Sequence, residues 1–382
     1  MSEAALGHSS ELAPHGHMAQ LDGLRALAVL AVMVHHYHDV QVVQLGLAGV
    51  KLFFVLSGFL ITGILLKARD QIGTGCLAFR SAVSSFYIRR TLRIFPLYYF
   101  VVIAGIVLGV QAARDGAAWF LLYLSNFYVI ELGWFPAHFA HFWSLAVEEQ
   151  FYLVWPWLVL LLPMKWLWRV TFLAIFIGAA YRFFAVVTEI PDPAGFVSTF
   201  ACLDSLGLGA LLALLWQERP ALLTARASWG GFLAGAGLLA LAVAVDSVAW
   251  RYALGDLGFS LSAACLVDRA ARGLRGPAGA ALASRPFTYT GRISYGLYVY
   301  HPLMPGIWGW VSAQTGMLAS APESEKIAVY WLSAFLAASL SWHVFEGPLN
   351  RLKDRFAPSQ PPPPSPVPAS SAVQPPSIRS SG

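Results

Sequence analysis

Residues 21–40, "LDGLRALAVLAVMVHHYHDV", hold the pattern from which the fold of this chain can be worked out. They form an apolar run of the kind that spans a membrane, yet the run contains an arginine and several histidines. A charged side chain at the centre of such a helix costs about 2.5–3.5 kcal/mol even on the mildest insertion scales. Arg25 and His36 are eleven residues apart, which on an α-helix is only ~20° past three full turns, with a rise of ~16 Å. The pattern therefore predicts a membrane-spanning helix with both side chains on one face, at different depths.

The register of this helix separates one histidine from its neighbours. We expect His36 to be functional because it shares the face of Arg25, whereas His35 and His38 point elsewhere. The three histidines cannot all point one way, and no cysteine or further histidine lies at ligand spacing nearby, so we expect no metal site. An alternative interpretation places the Arg25 guanidinium among the cytoplasmic headgroups beside Asp22, with the histidines at the outer interface.

The composition extends the membrane prediction to the whole chain. Of 382 residues, 57% are hydrophobic and 12% are charged, whereas soluble domains are about a quarter charged. We therefore expect an all-α polytopic membrane protein embedded in the lipid bilayer. Runs of roughly 20 apolar residues predict a bundle of about ten transmembrane helices, near residues 21–38, 46–66, 94–112, 145–164, 167–188, 200–217, 229–247, 252–268, 291–312 and 326–346.

Lysine and arginine are concentrated in some of the connections, and this asymmetry predicts the topology. The basic segments are 67–93, 165–169, 219–226, 269–292 and 351–355. Because positive charges mark cytoplasmic loops, both termini are expected to be cytoplasmic, and the net charge of +5 reflects topology rather than a nucleic-acid partner. Residues 117–132 must then be re-entrant or interfacial rather than an eleventh span. Residues 1–20 are expected to be a short cytoplasmic segment, and the Pro/Ser-rich residues 356–382 a disordered cytoplasmic tail.

A second motif, "HFWSLAVEEQFYLVWP" at residues 141–156, opens a predicted span with two adjacent carboxylates. They lie on the outer side, at a depth comparable to that of His36. A carboxylate beside an imidazole orients the ring and stabilises its protonated form, which suits a general base. We expect Glu148 to act in this way. Capping of the helix N-terminus is the alternative, and it applies more strongly to Glu149.

A third motif, "SFYIRRTLRIFPLYYF" at residues 85–100, places three arginines on the inner side beside aromatic rings. Arg90 and Arg93 are about one helical turn apart and can grip one phosphate group together, with Arg89 as a helper. Guanidinium is well suited to phosphate because its planar fork matches the oxygens. Ordinary anchoring of the span by positive charge is the alternative.

A fourth motif, "ISYGLYVYHPLMP" at residues 293–305, combines aromatic residues with a histidine and two prolines. An intramembrane histidine followed by proline indicates the lining of a cavity, so Tyr298 and His301 are candidate site residues. Arg182 and Asp204 put further charges inside spans. We expect these two to pair and to be structural.

Taken together, these stretches resemble the bacterial acyltransferase family 3, which consists of integral-membrane O-acyltransferases. The resemblance runs from about residue 20 to residue 352 and rests on "LDGLRALAVLAVMVHHY", "KLFFVLSGFLIT", "FYIRRTLRIFPLYY", "HFWSLAVEEQFYLVWP", "LDSLGLGALLA" and "ISYGLYVYHP". The family's arginine–ten residues–histidine motif falls on Arg25 and His36. Its R-x-x-R motif falls on Arg90 and Arg93, and its W-S-L-x-x-E element begins at Trp143.

The resemblance implies that residues 21–355 form a transmembrane acyltransferase domain in the inner (plasma) membrane. It implies transfer of an acyl group, acetyl by resemblance only, from cytoplasmic acyl-CoA to a hydroxyl of an extracytoplasmic carbohydrate or related acceptor. Acyl-CoA is then a donor substrate, and no permanently bound cofactor is expected. The expected catalytic residues are His36, Glu148 and Arg25. The expected substrate-binding residues are Arg89, Arg90, Arg93, Trp143, Ser57, Tyr298 and His301.

Other functions remain compatible with these residues at this point. Buried charges, Pro-broken helices and a basic inner mouth also suit a transporter or flippase for a glycolipid or small solute. A purely structural or sensory membrane protein is a third interpretation, but it leaves the register of Arg25 with His36 unexplained. For the enzyme, direct transfer and a transient acyl-histidine both remain open.

Overall fold

A computed structural model of the chain describes residues 18–38, 45–190, 193–245 and 247–356. Within these ranges the chain forms helices joined by short connections and contains no β-strand, so the predicted all-α class is confirmed. The predicted N-terminal segment up to residue 17 and the predicted tail from residue 357 lie outside the described residues.

The helices of the described chain differ widely in length, from 4 to 29 residues. They are α1 (Ala19–His38), α2 (Leu45–Gly73), α3 (Phe79–Val107), α4 (Gln111–Asp115), α5 (Ala117–Leu121), α6 (Ser125–Leu132), α7 (Phe142–Leu161), α8 (Met164–Val187), α9 (Ala194–Val197), α10 (Thr199–Glu218), α11 (Ala225–Ala244), α12 (Val248–Ala271), α13 (Pro277–Leu282), α14 (Arg285–Arg292), α15 (Ser294–Tyr300), α16 (Met304–Thr315), α17 (Glu323–Ser341) and α18 (Gly347–Leu352). Short 3₁₀ segments lie at Pro220–Leu222, His301–Leu303 and Lys353–Phe356, and a π-helical segment lies at Trp342–Glu346.

Several of these helices are long and apolar enough to cross a membrane. Within the described residues there are six, at Leu45–Gly73, Phe79–Val107, Met164–Val187, Ala194–Glu218, Ala225–Ala244 and Glu323–Leu352. Large apolar side chains also face outwards: on α8, Phe172, Phe176 and Phe183 are each more than half exposed. An outward apolar surface of this kind suits lipid contact. The chain is therefore a multi-pass membrane protein, while the count of about ten spans and the cytoplasmic termini stay predictions.

Helix α3 begins much earlier than the span predicted at 94–112. It starts at Phe79, so the arginines that were expected in a loop lie on its first half instead. The physical reason is that no Pro or Gly interrupts residues 79–95, and nothing there stops the helix. The consequence is a rigid helical platform for Arg90 and Arg93.

Residues 117–132 form two short helices rather than a span. Helices α5 and α6 contain five and eight residues, far fewer than the ~20 residues that cross a bilayer. Tyr123 lies between them with a backbone φ of 53°, and its ring stacks on Tyr98 of α3 at a centroid distance of 4.2 Å. Gln150 of α7 donates to the Tyr123 carbonyl at 2.9 Å. The segment is therefore packed against α3 and α7.

The span predicted at 291–312 is interrupted twice. Helix α14 ends at Arg292 and α15 begins at Ser294, and a 3₁₀ turn at His301–Leu303 separates α15 from α16. Pro302 lies in this turn and Pro305 follows it. Because proline has no backbone N–H, neither can complete the hydrogen bonds of a continuous helix. The interruption fixes the position of His301 inside the bundle.

Four charged side chains are buried where α2, α8, α10 and α12 meet. This ion quartet consists of Lys51, Arg182, Asp204 and Asp256, each at most 4% exposed. Lys51 Nζ lies 2.9 Å from Asp256 Oδ2, and an Arg182 guanidinium nitrogen lies 2.5 Å from Asp204 Oδ2. The predicted pairing of Arg182 with Asp204 is confirmed. With two positive and two negative charges, the quartet has no net charge.

Glycines bring α2 and α10 into close contact. A Cβ on Gly58 would lie 2.1 Å from the Leu206 carbonyl oxygen, and one on Gly209 would lie 2.1 Å from that of Val55. Small residues let helix backbones approach closely in this way. The contact holds the middle of α2, including Ser57, against the rest of the bundle.

Candidate active site

Helix α1 runs past two cavities. Arg25 lines one of them and His36 lines the other. Arg25 also forms a salt bridge with Asp22, one turn earlier on the same helix. Arg25 thus pairs with Asp22, as the alternative interpretation expected, and it also lines a cavity, as expected of a site residue.

The first cavity, called the basic cavity here, has a volume of about 560 Å³. It is bounded by α1, α2, α3, α7 and the start of α15. The site residues that line it are Arg25, Ser57, Arg89, Arg90, Arg93, Glu148 and Tyr298. Cationic side chains therefore dominate the charge around this space.

The arginines of α3 are placed to receive an anion. Arg90 stacks over the Tyr152 ring, with its guanidinium carbon 4.7 Å from the ring centroid. Arg93 follows three residues later, so the two guanidinium groups rise from neighbouring turns of α3. Within the described chain, Arg89, Arg90 and Arg93 have no carboxylate partner within 4.0 Å. Their charge is available to a ligand.

Glu148 lies in the basic cavity rather than beside His36. Its carboxylate accepts a hydrogen bond of 2.5 Å from the Ser57 hydroxyl. No hydrogen bond within the described chain joins Glu148 to His36, because their helices present them to different cavities. The structure thus brings together two predicted site residues, Glu148 and Ser57, that the sequence did not pair.

The second cavity, called the histidine cavity here, has a volume of about 940 Å³. One side comes from α11, where Leu239 and Val243 line it, and from α12, where Phe259 lines it. The other side carries rings from α1, α7, α9, α15 and the connection before α7. The rings that line the cavity are those of His35, His36, Phe135, His138, His141, Trp143, Phe196, Phe259 and Tyr298. Imidazole nitrogens are thus placed against a space large enough for a small organic ligand.

His36 is hydrogen-bonded to a second histidine 265 residues away. Its Nδ1 lies 2.8 Å from Nε2 of His301, and the two rings are stacked. His301 is fully buried and lines neither of the two cavities, so it lies behind His36. His35 and His38 were both expected to point away from the face of His36. His35 nevertheless lines the histidine cavity, whereas His38 lines neither cavity and accepts a hydrogen bond from Trp331.

The two cavities meet at Val50 and Tyr298, which line both. The Tyr298 hydroxyl lies 2.5 Å from the Ser144 hydroxyl and donates to the His141 carbonyl at 3.0 Å. Its ring makes a T-shaped contact with the ring of Phe53. This shared wall is a place where a ligand in one cavity could approach a ligand in the other.

Two lining residues, His138 and His141, were not singled out from the sequence. His138 has a φ of 64° and its Nδ1 lies 2.9 Å from the Pro302 carbonyl oxygen. His141 is buried with neither ring nitrogen hydrogen-bonded within the described chain. Burial, with the neighbouring His301 and His36 rings, lowers the pKa of His141 well below its usual value. The sequence did carry a signal for these two residues, because His138 and His141 lie three positions apart just before the Trp143 motif.

Comparison with known proteins places these features in a wider group. The sequence model of a family described as "Acyltransferase domain" matches residues 18–345. A protein of Bacillus subtilis named "Putative peptidoglycan O-acetyltransferase YrhL" is 30% identical over 373 residues, covering 88% of this chain and 55% of that relative. No solved structure matches the chain.

Further relatives match over shorter stretches. "Peptidoglycan O-acetyltransferase OatA" of Listeria monocytogenes is 35% identical over 164 residues, which cover 39% of this chain and 25% of that protein. "Putative O-acetyltransferase SAS0844" of Staphylococcus aureus is 34% identical over 224 residues, 52% of this chain and 35% of that protein. The chain thus spans about half the length of the first relative, and less of these two.

Proposed function

The chain belongs to the acyltransferase family whose sequence model spans residues 18–345, and from that premise we propose that it moves an acyl group from cytoplasmic acyl-CoA to a hydroxyl of an extracytoplasmic carbohydrate. The relatives named as O-acetyltransferases support acetyl as the acyl group, and peptidoglycan in two of the names supports a glycan acceptor. The proposed location is the inner (plasma) membrane, with both termini in the cytoplasm.

The observation that carries this proposal is the pair of cavities with a shared wall. The basic cavity offers the guanidinium groups of Arg89, Arg90 and Arg93, which have no carboxylate partner among the described residues, and the histidine cavity offers an imidazole. A donor and an acceptor that arrive from opposite sides of a membrane need separate entrances and one meeting place. Val50 and Tyr298, which line both cavities, mark that meeting place.

On the donor side, the chemistry of coenzyme A fits the basic cavity. The molecule carries anionic phosphates at one end and a long, thin arm that ends in the thioester. Arg90 and Arg93, helped by Arg89, would hold the phosphates through charge-assisted hydrogen bonds. The arm would then pass Arg25 and Ser57 and bring the thioester to the shared wall.

On the acceptor side, His36 would act as the general base. It takes the proton from the acceptor hydroxyl while the oxygen attacks the thioester carbonyl carbon; the C–S bond then breaks, and the CoA thiolate leaves and takes up a proton. The rings of Trp143 and Tyr298 would hold the sugar by stacking and hydrogen bonding. A transient acyl-histidine at His36 is a second form of the same chemistry.

The role proposed for Glu148 follows its contact with Ser57. It remains a proposed catalytic residue, but it would act on the donor side, since its hydrogen bond joins it to Ser57 in the basic cavity. There the carboxylate would orient the hydroxyl toward the arm of the donor. The negative charge of Glu148 would also repel the donor phosphates within this cavity.

The test is turnover by the purified protein in detergent. It is given acetyl-CoA with soluble peptidoglycan fragments as the acceptor, and free CoA is measured over time. We expect release of CoA that depends on the acceptor, together with an acetylated fragment in the mass spectrum. The matched control is His36→Ala, which should leave acetyl-CoA binding intact and stop product formation.

Two results would contradict the proposal. One is acetyl-CoA that does not bind to a folded preparation of the protein. The other is CoA release that stays the same with and without every hydroxylated acceptor offered, which would indicate a thioesterase in place of a transferase.

A further inference from the structure

We propose that His301 is a positioning residue that fixes His36 in the tautomer whose Nε2 is unprotonated and free to face the histidine cavity. The proposal rests on the proposed function, because it explains how the general base is prepared. It replaces a substrate-binding role for His301, since this side chain is fully buried and lines neither cavity.

The tautomer follows from a chain of hydrogen bonds that begins at a backbone carbonyl. His301 Nδ1 lies 3.0 Å from the Leu297 carbonyl oxygen. A carbonyl oxygen can only accept, so His301 Nδ1 must carry the hydrogen. In a neutral imidazole the other nitrogen, Nε2, then has the lone pair. The hydrogen positions are thus assigned from the network.

The next link transfers this assignment to His36. His301 Nε2 lies 2.8 Å from His36 Nδ1, and because it accepts, His36 Nδ1 must be the donor. The hydrogen of a neutral His36 is then on Nδ1, and its Nε2 holds a lone pair. A general base needs this lone pair on the side of the ring that faces the acceptor hydroxyl.

A positively charged His301 would reverse the assignment. It would donate from both nitrogens, and His36 would then carry its hydrogen on Nε2 and could not act as a base. Among the described residues, the titratable groups that contact the His301 ring are those of His36, Tyr37, His141 and Tyr298. None is a carboxylate, and a buried cation without an anionic partner is costly. The surroundings therefore favour the neutral ring.

The backbone holds His301 in place for this role. The Tyr37 hydroxyl donates to the His301 carbonyl oxygen at 2.7 Å. Pro302, the next residue, keeps the chain in a 3₁₀ turn between α15 and α16. The His301 ring is therefore fixed by its own backbone, by Tyr37 and by Leu297. A base that is oriented before the substrates arrive loses no rate to searching for the reactive geometry.

Two amide variants distinguish the hydrogen bond to His36 from the mere filling of space by the His301 side chain. In His301→Gln the amide oxygen reaches the place of Nε2 and can still accept from His36 Nδ1. In His301→Asn the shorter amide can satisfy Leu297 but cannot reach His36. We expect His301→Gln to keep turnover within about tenfold of the parent protein. We expect His301→Asn and His301→Leu to lose turnover by a factor on the order of 100 to 10,000, as when a catalytic histidine loses its orienting partner.

The experiment is steady-state kinetics of CoA release for these three variants, with acetyl-CoA binding and elution as a single species as the measures of folding. The Michaelis constants for both substrates should stay close to the parent values. Equal loss in His301→Gln and His301→Asn, or a change confined to the Michaelis constant of the acceptor, would overturn the positioning role.

The proposed function and this inference fail in different ways. If the parent protein releases no CoA with any acceptor, the proposed function fails first. If the parent is active, His36→Ala is inactive and His301→Leu retains full turnover, then only the inference fails. The control Tyr37→Phe keeps the ring but loses the bond to the His301 carbonyl, and its effect should be smaller than that of His301→Asn.

Discussion

The ion quartet and the basic cavity contain the same kinds of charged side chain in opposite situations. In the quartet, Lys51 and Arg182 each have a carboxylate within hydrogen-bond distance, and all four members are almost completely buried. In the basic cavity, Arg90 and Arg93 have no carboxylate partner within the described chain and border open space. The charges of the quartet cancel one another, whereas the side chains around the basic cavity carry a net positive charge.

This difference shows how buried charge is used in the molecule. A buried ion pair contributes little to stability as a whole, but removal of one partner is costly because the other charge is left uncompensated. The quartet therefore fixes which helices meet. Unpaired cations around a cavity have their compensating charge supplied by a ligand, which is the arrangement expected for an anionic donor. Stability and binding should accordingly respond to different substitutions.

The largest effect is expected when the quartet is unbalanced. Asp256→Asn leaves Lys51 without its carboxylate and removes a negative charge 3.8 Å from Arg182 Nε. Loss of one partner of a buried pair costs about 3–5 kcal/mol. We expect less folded protein in detergent and a lower melting temperature, while the Michaelis constant for acetyl-CoA in the folded fraction stays near the parent value.

The control for this prediction removes both charges together. The double variant Lys51→Met with Asp256→Leu should recover much of the lost stability, because apolar residues often replace a buried ion pair at little cost. Thermal unfolding of both variants checks the comparison. A melting temperature of Asp256→Asn equal to that of the parent would show that the quartet does not hold the fold.

The next largest effect is expected at His36. His36→Ala removes the general base, so turnover should fall by a factor on the order of 100 to 10,000. His35→Ala and His38→Ala should be milder, because neither ring has the hydrogen bond to His301 that prepares the base. Initial rates of CoA release at saturating acetyl-CoA measure this. A His36→Ala enzyme as fast as the parent would remove this residue from the mechanism.

Much of this architecture was predictable from the sequence, because hydropathy and helical register are local properties. The all-α membrane class follows from the apolar runs, and the placement of Arg25 and His36 along one helix follows from their spacing. The pairing of Arg182 with Asp204 followed from their burial in predicted spans. Membership of the acyltransferase family then supports the proposed enzyme over the transporter.

The missing parts depend on contacts between distant residues. The bond between His36 and His301 joins residues 265 positions apart, and no periodicity reports it. Lys51 lies inside the span predicted at 46–66, and its partner Asp256 is on another helix. Glu148 was expected beside His36, but the α2–α7 packing brings it to Ser57 instead. In each case the sequence identified a charged or polar side chain and could not identify its partner.

An intermediate effect is expected at Arg25, which is paired like the charges of the quartet and lines the basic cavity like Arg90 and Arg93. It forms a salt bridge with Asp22 and also lines the basic cavity. Arg25→Ala should lower kcat/KM by about 100-fold, the upper end for one charge-assisted hydrogen bond. The loss should be divided between the Michaelis constant and turnover. Arg25→Lys, which keeps the charge, should lose less; equal losses would indicate that the charge of Arg25 does not contribute.

The central claim is that the unpaired arginines bind the donor while His36 carries out the chemistry. Steady-state kinetics over a range of acetyl-CoA concentrations for Arg90→Ala, Arg93→Ala and His36→Ala test it most directly. Phosphate contacts are made equally in the ground state and in the transition state, so their loss should mainly raise the Michaelis constant for acetyl-CoA. The expected increase is about ten- to a hundredfold, with turnover nearly unchanged, whereas His36→Ala should lower turnover alone. If both arginine variants keep the parent Michaelis constant and lose only turnover, the donor does not bind at these arginines.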